Sequence, residues 1–123
     1  MSDTGEPKKF EILQKVKDMM LYAYPALAQF PKSEKFAMVA DIKRIMDKML
    51  ELCIEIEKKF YRKNSLQNLD VANAQLKTYI QMAHLLKFLS THKYEIWSGM
   101  VVEIGKMIGG MLKAVRQNAD HRE

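Results

Sequence analysis

The chain contains no glycine between Gly5 and Gly99. Glycine supplies the positive φ angles that tight β-hairpin turns require. A chain of 123 residues that lacks glycine over most of its length has few places where short strands could reverse direction. Strand-like alternation of apolar and polar residues is also missing over any useful length. The sequence therefore predicts an all-α fold.

Apolar residues recur at the three- and four-residue spacing of an α-helix in four segments. In the second segment the spacing is 3-4-3-4-3-4, which is typical of a helix that packs on its neighbours at a shallow angle. In chain order, the apolar positions are Leu13, Val16, Met20, Tyr24 and Leu27; Val39, Ile42, Met46, Met49, Cys53, Ile56 and Phe60; Ala72, Leu76, Tyr79, Ala83 and Leu86; and Tyr94, Trp97, Val101, Ile104, Ile108, Met111 and Val115. Four helices with short connections predict an antiparallel up-down-up-down four-helix bundle.

Prolines and small polar residues mark the expected helix boundaries. The first helix is expected to stop near Pro25 and Pro31, because the residue before a proline is pushed out of helical geometry. Ser33 is the expected N-cap of the second helix, since its hydroxyl can accept a hydrogen bond from a free backbone N–H. Residues 64–68 are expected to form a polar connection, and residues 90–92 a second short break.

Composition predicts one globular domain. Hydrophobic residues make up 48% and charged residues 28% of the chain, and no apolar run approaches the ~20 residues that span a membrane. We expect a bundle over residues 10–117 between a polar N-terminal tail at 1–9 and a polar C-terminal tail at 118–123. The single cysteine, Cys53, cannot form an internal disulfide and lies at a core position, so we expect a packing role and a reducing cytoplasm.

Motifs that carry chemistry are missing from the sequence. It contains no GxxxxGK[ST] phosphate loop, no GxGxxG turn after a strand and no HExxH. The histidines, His84, His92 and His121, do not share metal-ligand spacing, so a zinc site is not expected. We therefore expect no catalytic residue, no metal and no cofactor. An enzyme with a cofactor in the bundle core stays open as an alternative.

Positive charge is the remaining signal. The net charge is +5, and no acid occurs from Val71 to Tyr94. Such charge favours polyanionic partners, with salt-sensitive and weakly sequence-specific binding through phosphates. The candidate nucleic-acid-binding residues are Lys32, Lys35, Lys43 and Arg44; Lys58, Lys59, Arg62 and Lys63, which are interleaved with Phe60 and Tyr61; and Lys77, His84 and Lys87. The cations at 58–63 could instead stabilise the last turns of a helix through its macrodipole.

A second apolar stripe predicts a contact between subunits. It lies on the third helix, rotated from the first stripe, and comprises Val71, Thr78, Met82, Leu85 and Leu89. In the last helix, Gly105 and Gly109 each cost about 1 kcal/mol relative to alanine, and close approach of another helix would compensate. We therefore expect Val71, Met82, Leu85, Leu89, Gly105 and Gly109 to line an oligomer interface. The alternative is a broad core face in a monomer.

Several runs in the sequence resemble a known family. FPKSEKF at residues 30–36 resembles the FPKxE-type signature of small four-helix-bundle proteins. These include the accessory variability determinant (Avd) of diversity-generating retroelements and proteins encoded within 23S ribosomal RNA intervening sequences. KYEIW at 93–97, EIGKMIGG at 103–110 and NLD at 68–70 are similar to the Avd branch. At 53–57 the chain reads CIEIE, where the intervening-sequence branch carries an Asn-Ile-Ala-Glu-Gly-like stretch.

The resemblance covers about residues 10–117, and it departs at Met111, where the Avd pattern often has tryptophan after two glycines. It implies a ring-like homo-oligomer, a pentamer, with a basic surface. It also implies binding to reverse transcriptase and its template RNA, in support of error-prone cDNA synthesis. Lys32 and Lys35 belong to the shared motif. The alternative is a structural or scaffolding bundle of the intervening-sequence type with an unknown partner.

Overall fold

The computed structural model describes the backbone of residues 9–121 and the side chains of residues 11–118. Within that range the chain forms four α-helices and no strand: α1 (Lys9–Leu27), α2 (Met38–Lys58), α3 (Lys63–Leu85) and α4 (Thr91–His121). A short 3₁₀ helix, Lys32–Glu34, lies between α1 and α2. Helix α1 packs on α2 and α4, while α3 packs on α2 and α4. The predicted all-α four-helix bundle is confirmed.

The core runs along the axis of the bundle and includes Trp97, the single tryptophan. Its ring is fully buried, and its indole Nε1–H donates a hydrogen bond to the sulfur of Met19 at 3.2 Å. Helix α2 contributes the predicted repeat, since Val39, Ile42, Met46, Met49, Cys53 and Ile56 are all buried. An apolar repeat read at helical spacing therefore located this part of the core correctly.

Two apolar residues at the predicted helix ends were expected in the core, and this prediction is wrong. Phe60 and Leu86 are exposed, because α2 ends at Lys58 and α3 at Leu85. Past the last helical residue the chain turns, so the next residue in the repeat no longer faces the core. Helix α1 differs too, since its buried face uses alanines. The buried residues of α1 are Ile12, Val16, Met19, Ala23, Ala26 and Leu27, whereas Leu13 and Met20 are half-buried and Tyr24 is exposed.

The boundary between α1 and α2 follows the prolines only in part. Helix α1 ends at Leu27, between the two prolines, although Pro25 itself lies in the last turn. The predicted capping role of Ser33 is wrong, because Ser33 lies in the 3₁₀ helix and α2 begins at Met38. The carboxylate of Glu34 instead accepts the backbone N–H of Met38 at 3.2 Å. A side chain four residues upstream thus satisfies a free donor of the first turn.

The predicted polar connection at 64–68 is wrong, because these residues form the first turns of α3. Leu66 is fully buried and extends the apolar face of α3 toward its start. Ser65 is also buried, and its hydroxyl donates a hydrogen bond to the Glu55 carboxylate on α2 at 2.8 Å. The connection between α2 and α3 is the shorter segment 59–62.

The break between α3 and α4 comes earlier than predicted, at residues 86–90. Lys87 adopts the left-handed conformation with φ of 67°. The N–H of Lys87 bonds to the carbonyl of His84 at 3.0 Å, and that of Phe88 to the carbonyl of Ala83 at 2.9 Å. This pair of bonds is a Schellman motif, which closes a helix C-terminus. Ser90 then caps α4, since its hydroxyl accepts the N–H of Lys93 at 3.2 Å.

The predicted domain limits stay a prediction. Helix α4 continues through residues 118–121, inside the segment expected to be a C-terminal tail. Residues 1–8, which make up most of the expected N-terminal tail, and residues 122–123 lie outside the described residues.

Candidate nucleic-acid interface

In the up-down-up-down topology, most of the predicted basic residues lie near one or the other end of the bundle. The α1–α2 and α3–α4 connections meet at one end, which we call the paired-loop end. There the rings of Phe30 and Phe88 lie 5.8 Å apart, and Lys93 Nζ donates to Gln29 Oε1 at 3.1 Å. The α2–α3 connection, 59–62, lies at the opposite end, which we call the single-loop end.

The eleven predicted basic residues thus do not form one patch. Those near the paired-loop end are Lys32, Lys35, Lys43, Arg44, His84 and Lys87, and those at the single-loop end are Lys58, Lys59, Arg62 and Lys63. Lys77 is exposed part-way along α3. Helix α2 has 21 residues and separates the two ends by about 30 Å at 1.5 Å per residue. Whether these residues contact nucleic acid stays a prediction.

A lysine-lined cleft is the main feature of the paired-loop end. It has a volume of about 240 Å³ and lies where the end of α1 and the 3₁₀ helix meet the start of α2. Its polar lining is Lys32, Lys35 and Lys43, and none of the described residues that line it is acidic. Lys43 Nζ lies 5.0 Å from the ring centroid of Tyr24, within cation–π range. The cleft therefore concentrates positive charge beside an aromatic surface.

Other predicted residues at this end are already engaged inside the protein. Arg44 donates a hydrogen bond to the Asp41 carboxylate at 2.6 Å, so an acid compensates its charge locally. The ring of His84 stacks on Tyr94 with centroids 4.3 Å apart and planes 6° apart. His84 Nε2 also lies 3.1 Å from the hydroxyl of Thr91. These contacts tie α3 to the start of α4, which gives His84 a structural role.

The single-loop end combines cations with two exposed rings, Phe60 and Tyr61. One of the cations, Lys59, lies 3.3 Å from a carboxylate oxygen of Glu55. The hydrogen bond from Ser65 lowers the pKa of Glu55, and the contact with Lys59 lowers it further. Arg62 is half-buried, and its Nε has no hydrogen-bond partner in the described chain. Lys58 and Lys63 are exposed.

The predicted oligomer stripe on α3 is exposed except at one position. Val71, Met82 and Leu85 all face solvent, Leu85 with 79% of its surface. Leu89 is 4% exposed and belongs to the core, so its place in the interface is wrong. The turn at Lys87 changes the direction of the chain, and Leu89 consequently no longer continues the stripe.

The two glycines expected at the interface have different surroundings. A Cβ added at Gly105 would lie 3.3 Å from Nδ2 of Asn73, so the close approach at Gly105 is to α3 of the same chain. A place for Gly105 in an oligomer interface stays a prediction. Gly109 is exposed, and an added Cβ would meet no described atom within 4 Å. Nothing within the described bundle explains the helix-destabilising glycine at position 109.

Sequence reasoning missed three residues of the paired-loop end. Tyr24 was assigned to the core because it matched an apolar repeat, but it lines the cleft. Phe36 follows the 3₁₀ helix with 87% of its surface exposed, and Lys35 Nζ lies 5.4 Å from its ring centroid. Lys93 reaches the α1–α2 connection from α4. The acid-free stretch from Val71 to Tyr94 was the signal that could have indicated Lys93.

The single cysteine, Cys53, is held in an unreactive setting. Burial, together with the nearby Glu57 carboxylate, raises the pKa of the Cys53 thiol to about 12. The thiol is therefore protonated at neutral pH and is a poor nucleophile. Among the described side chains, no group of three histidine, cysteine or acidic residues could hold a metal ion. None of the described helices is both long and apolar enough to span a bilayer.

The structure thus defines a small four-helix bundle with an apolar core around Trp97 and clusters of basic residues near both ends. The chain belongs to the bAvd-like family, whose model matches residues 10–115. This family is an accessory, non-catalytic one. The match confirms the resemblance drawn from the sequence runs at 30–36, 68–70 and 93–110. No curated protein matches the chain.

Proposed function

We propose that this chain is a non-catalytic accessory protein of a diversity-generating retroelement. In this role it is a basic, cytoplasmic homo-oligomer that binds reverse transcriptase and template RNA and supports mutagenic cDNA synthesis. Membership of the bAvd-like family supports the accessory role. The observation that carries the RNA-binding part is the lysine cleft at the paired-loop end.

The cleft suits a phosphate backbone for electrostatic reasons. Lys32, Lys35 and Lys43 converge on it without an acidic neighbour in the lining, so their charge is available to an external anion. Lysines that contact phosphates release condensed counterions from the nucleic acid, and this release favours binding at low salt. Such contacts position a backbone and do not read bases. The cleft therefore fits RNA of many sequences.

The exposed apolar stripe on α3 is the observation that supports the proposed homo-oligomer. Val71, Met82 and Leu85 lie on one side of the helix and leave apolar surface in water. Removing apolar surface from water is worth roughly 25 cal/mol per Å², so a second copy that covered the stripe would gain stability. Exposed Gly109 on α4 would let another helix approach closely.

The test is RNA binding by the purified chain across a salt series, with the mass measured by light scattering in parallel. The test variant is the triple change of Lys32, Lys35 and Lys43 to alanine. The matched control is Lys15, Lys17 and Lys48 to alanine, which removes the same charge from the sides of the bundle. Lys15 and Lys48 lie 3.4 and 3.7 Å from Glu103 and Glu51 carboxylate oxygens, so an acid already compensates both.

We expect the cleft variant to weaken binding and to lower the slope of log K against log salt by about 2, since each phosphate contact contributes about 0.7 for single strands. The control should change the slope little. Equal losses in both triple variants would mean that only net charge matters and would remove the cleft from the proposal. A monomer that does not bind RNA at low salt would refute the proposed function and favour a scaffolding bundle. Binding to reverse transcriptase is tested by co-purification of that enzyme with the unaltered chain.

A further inference from the structure

The α2–α3 connection exposes two aromatic rings side by side. Phe60 and Tyr61 have 77% and 78% of their surfaces in solvent. Their rings meet edge to face, with centroids 4.8 Å apart and planes 86° apart. In this arrangement one ring keeps both faces free and the other keeps one face free. Flat aromatic faces are therefore presented to solvent in a defined orientation.

Phe60 and Tyr61 are adjacent and both are largely exposed, so two rings lie in water at one place on the surface. The contact between the rings covers only a small part of each, so the bundle gains little from them. Neither ring is part of the core, although Phe60 stands at helical spacing from Ile56. Because these rings contribute little to the fold, they are available to contact a partner.

Positive charge surrounds the rings. Lys58, Lys59, Arg62 and Lys63 flank them in sequence, and no acid occurs between Glu57 and Asp70. Helix α3 begins directly after the rings, and within the described chain its N-cap makes no side-chain hydrogen bond. The partial positive charge of that helix end adds to the side-chain charge. The surface therefore combines aromatic faces with an excess of cations.

We propose that this connection is a stacking site for unpaired nucleotides, in which bases stack on Phe60 and Tyr61 while the neighbouring cations contact phosphates. Single-stranded nucleic acid is bound in this way by proteins that combine a basic surface with exposed rings. Bases inside a duplex are stacked on each other, so their faces are not available to these rings. The site thus prefers single strands to duplexes. This inference rests on the proposed RNA binding and adds a preference to it.

Charge favours nucleic acid over a second copy of the chain as the occupant. A second copy would bring another basic surface, since the chain carries a net charge of +5. Like charges would then lie near Lys58 and Lys63, which are both exposed and unpaired with any acid in the described contacts. A polyanion relieves this repulsion, and its bases also cover the rings.

The experiment measures fluorescence anisotropy of a labelled single strand without self-complementarity and of a matched duplex. The test variant is Phe60→Ala with Tyr61→Ala. The matched control is Leu21→Ala, because Leu21 is a similarly exposed apolar residue, 73%, on a helix outside every candidate site. A conservative variant, Tyr61→Phe, keeps the ring. Circular dichroism and light scattering establish that each variant keeps the fold and the mass of the unaltered chain.

We expect the double alanine variant to bind the single strand roughly 5- to 100-fold more weakly, which is about the effect of losing one stacked base. Duplex binding should be unchanged, and both Leu21→Ala and Tyr61→Phe should behave like the unaltered chain. Stacking also has a direct readout. In a Trp97→Phe background, Tyr61→Trp supplies a single exposed indole whose fluorescence a stacked base should quench.

Three results would overturn the inference alone: unchanged single-strand binding, equal losses for single strand and duplex, or a smaller mass of the double variant with RNA binding intact. The last result would place the rings between subunits. If the unaltered chain binds neither RNA form, the proposed RNA binding fails and the inference falls with it.

Discussion

The strongest quantitative prediction concerns two glycines of the same helix, Gly105 and Gly109. Both lie in α4, where replacing glycine by alanine gains about 1 kcal/mol of helix stability. At Gly109 the new methyl group meets no described atom within 4 Å, so the gain should be realised in the protomer. We expect Gly109→Ala to raise the free energy of unfolding by about 0.5–1 kcal/mol.

At Gly105 the same change should destabilise the protein. The added Cβ would lie 3.3 Å from Nδ2 of Asn73, which is tighter than ordinary contact. Asn73 is buried and donates a hydrogen bond from this Nδ2 to the carbonyl of Val101 at 3.0 Å. Displacing a buried donor costs about 1–3 kcal/mol. Near the middle of its range this cost exceeds the helix gain of about 1 kcal/mol, so we expect Gly105→Ala to lower stability by about 1 kcal/mol and by no more than about 2 kcal/mol.

The assay is urea unfolding followed by circular dichroism, at several protein concentrations because the proposed assembly would be linked to folding. In a double-mutant cycle, Gly105→Ala should lower the free energy of unfolding much less when Asn73 is also replaced by alanine. The reasoning is refuted if Gly105→Ala stabilises the protein as much as Gly109→Ala does. A second outcome bears on assembly. If Gly109 touches another subunit, its alanine variant should show a smaller mass in light scattering while the protomer is more stable.

Three further predictions follow from local geometry. Lys87 is left-handed at the end of α3, so Lys87→Gly should stabilise the protein by about 1 kcal/mol in urea unfolding, whereas Lys87→Ala should not. The pKa of Cys53 is raised from 9.0 to about 12 in the fold, and the folded state therefore retains the thiol proton that the unfolded state loses. The free energy of unfolding should fall as the pH rises above about 9, and it should fall less in Cys53→Ala. An identical pH dependence of stability in the two proteins would refute this linkage. Leu85→Glu should reduce the oligomer mass in light scattering, while the equally exposed Leu21→Glu should not, and equal effects would remove α3 from the interface.

The sequence predicted the bundle well where large apolar residues repeat without interruption. In α2 every repeat position from Val39 to Ile56 is buried, because the helix is continuous over that stretch. In α1 the same reasoning was right for Val16 and Leu27, but it placed the exposed Tyr24 in the core and missed the buried Ala23 and Ala26. Apolar size is an imperfect guide when neighbouring helices approach closely enough to bury alanine.

Helix ends caused the other errors, and they share one physical cause. A repeat keeps its phase only within a helix, so the residues that follow an end turn away from the predicted face. Phe60, after α2, was expected in the core and is exposed, whereas Leu89, after α3, was expected at the surface and is buried. The end of α3 depends on a left-handed lysine at position 87, which sequence patterns do not reveal because glycine usually takes that role.

The sequence predicted which residues belong to the candidate site, but not how they are arranged in space. Charge counting found Lys32, Lys35 and Lys43, but it also included Arg44 and His84, which contact groups of the same chain. Local pairing depends on which side chains the fold brings within hydrogen-bond distance, and that information is three-dimensional. Tyr24, beside the lysines of the cleft, matched an apolar repeat and was therefore expected in the core.

The separation of the two basic ends limits how the proposed RNA binding can work. The lysine cleft and the Phe60–Tyr61 rings lie at opposite ends of α2, about 30 Å apart. An A-form RNA duplex rises less per base pair than the 3.4 Å of B-form DNA, so a helical segment must extend over more than about nine pairs to follow the bundle from end to end. The cleft needs only phosphates and can hold a structured segment, whereas the rings require unpaired bases. An RNA in which a stem adjoins a single strand would engage both ends at once, and the second contact would then form at a high effective concentration. If both proposals hold, we expect one protomer to bind a junction between paired and unpaired RNA more tightly than either form alone.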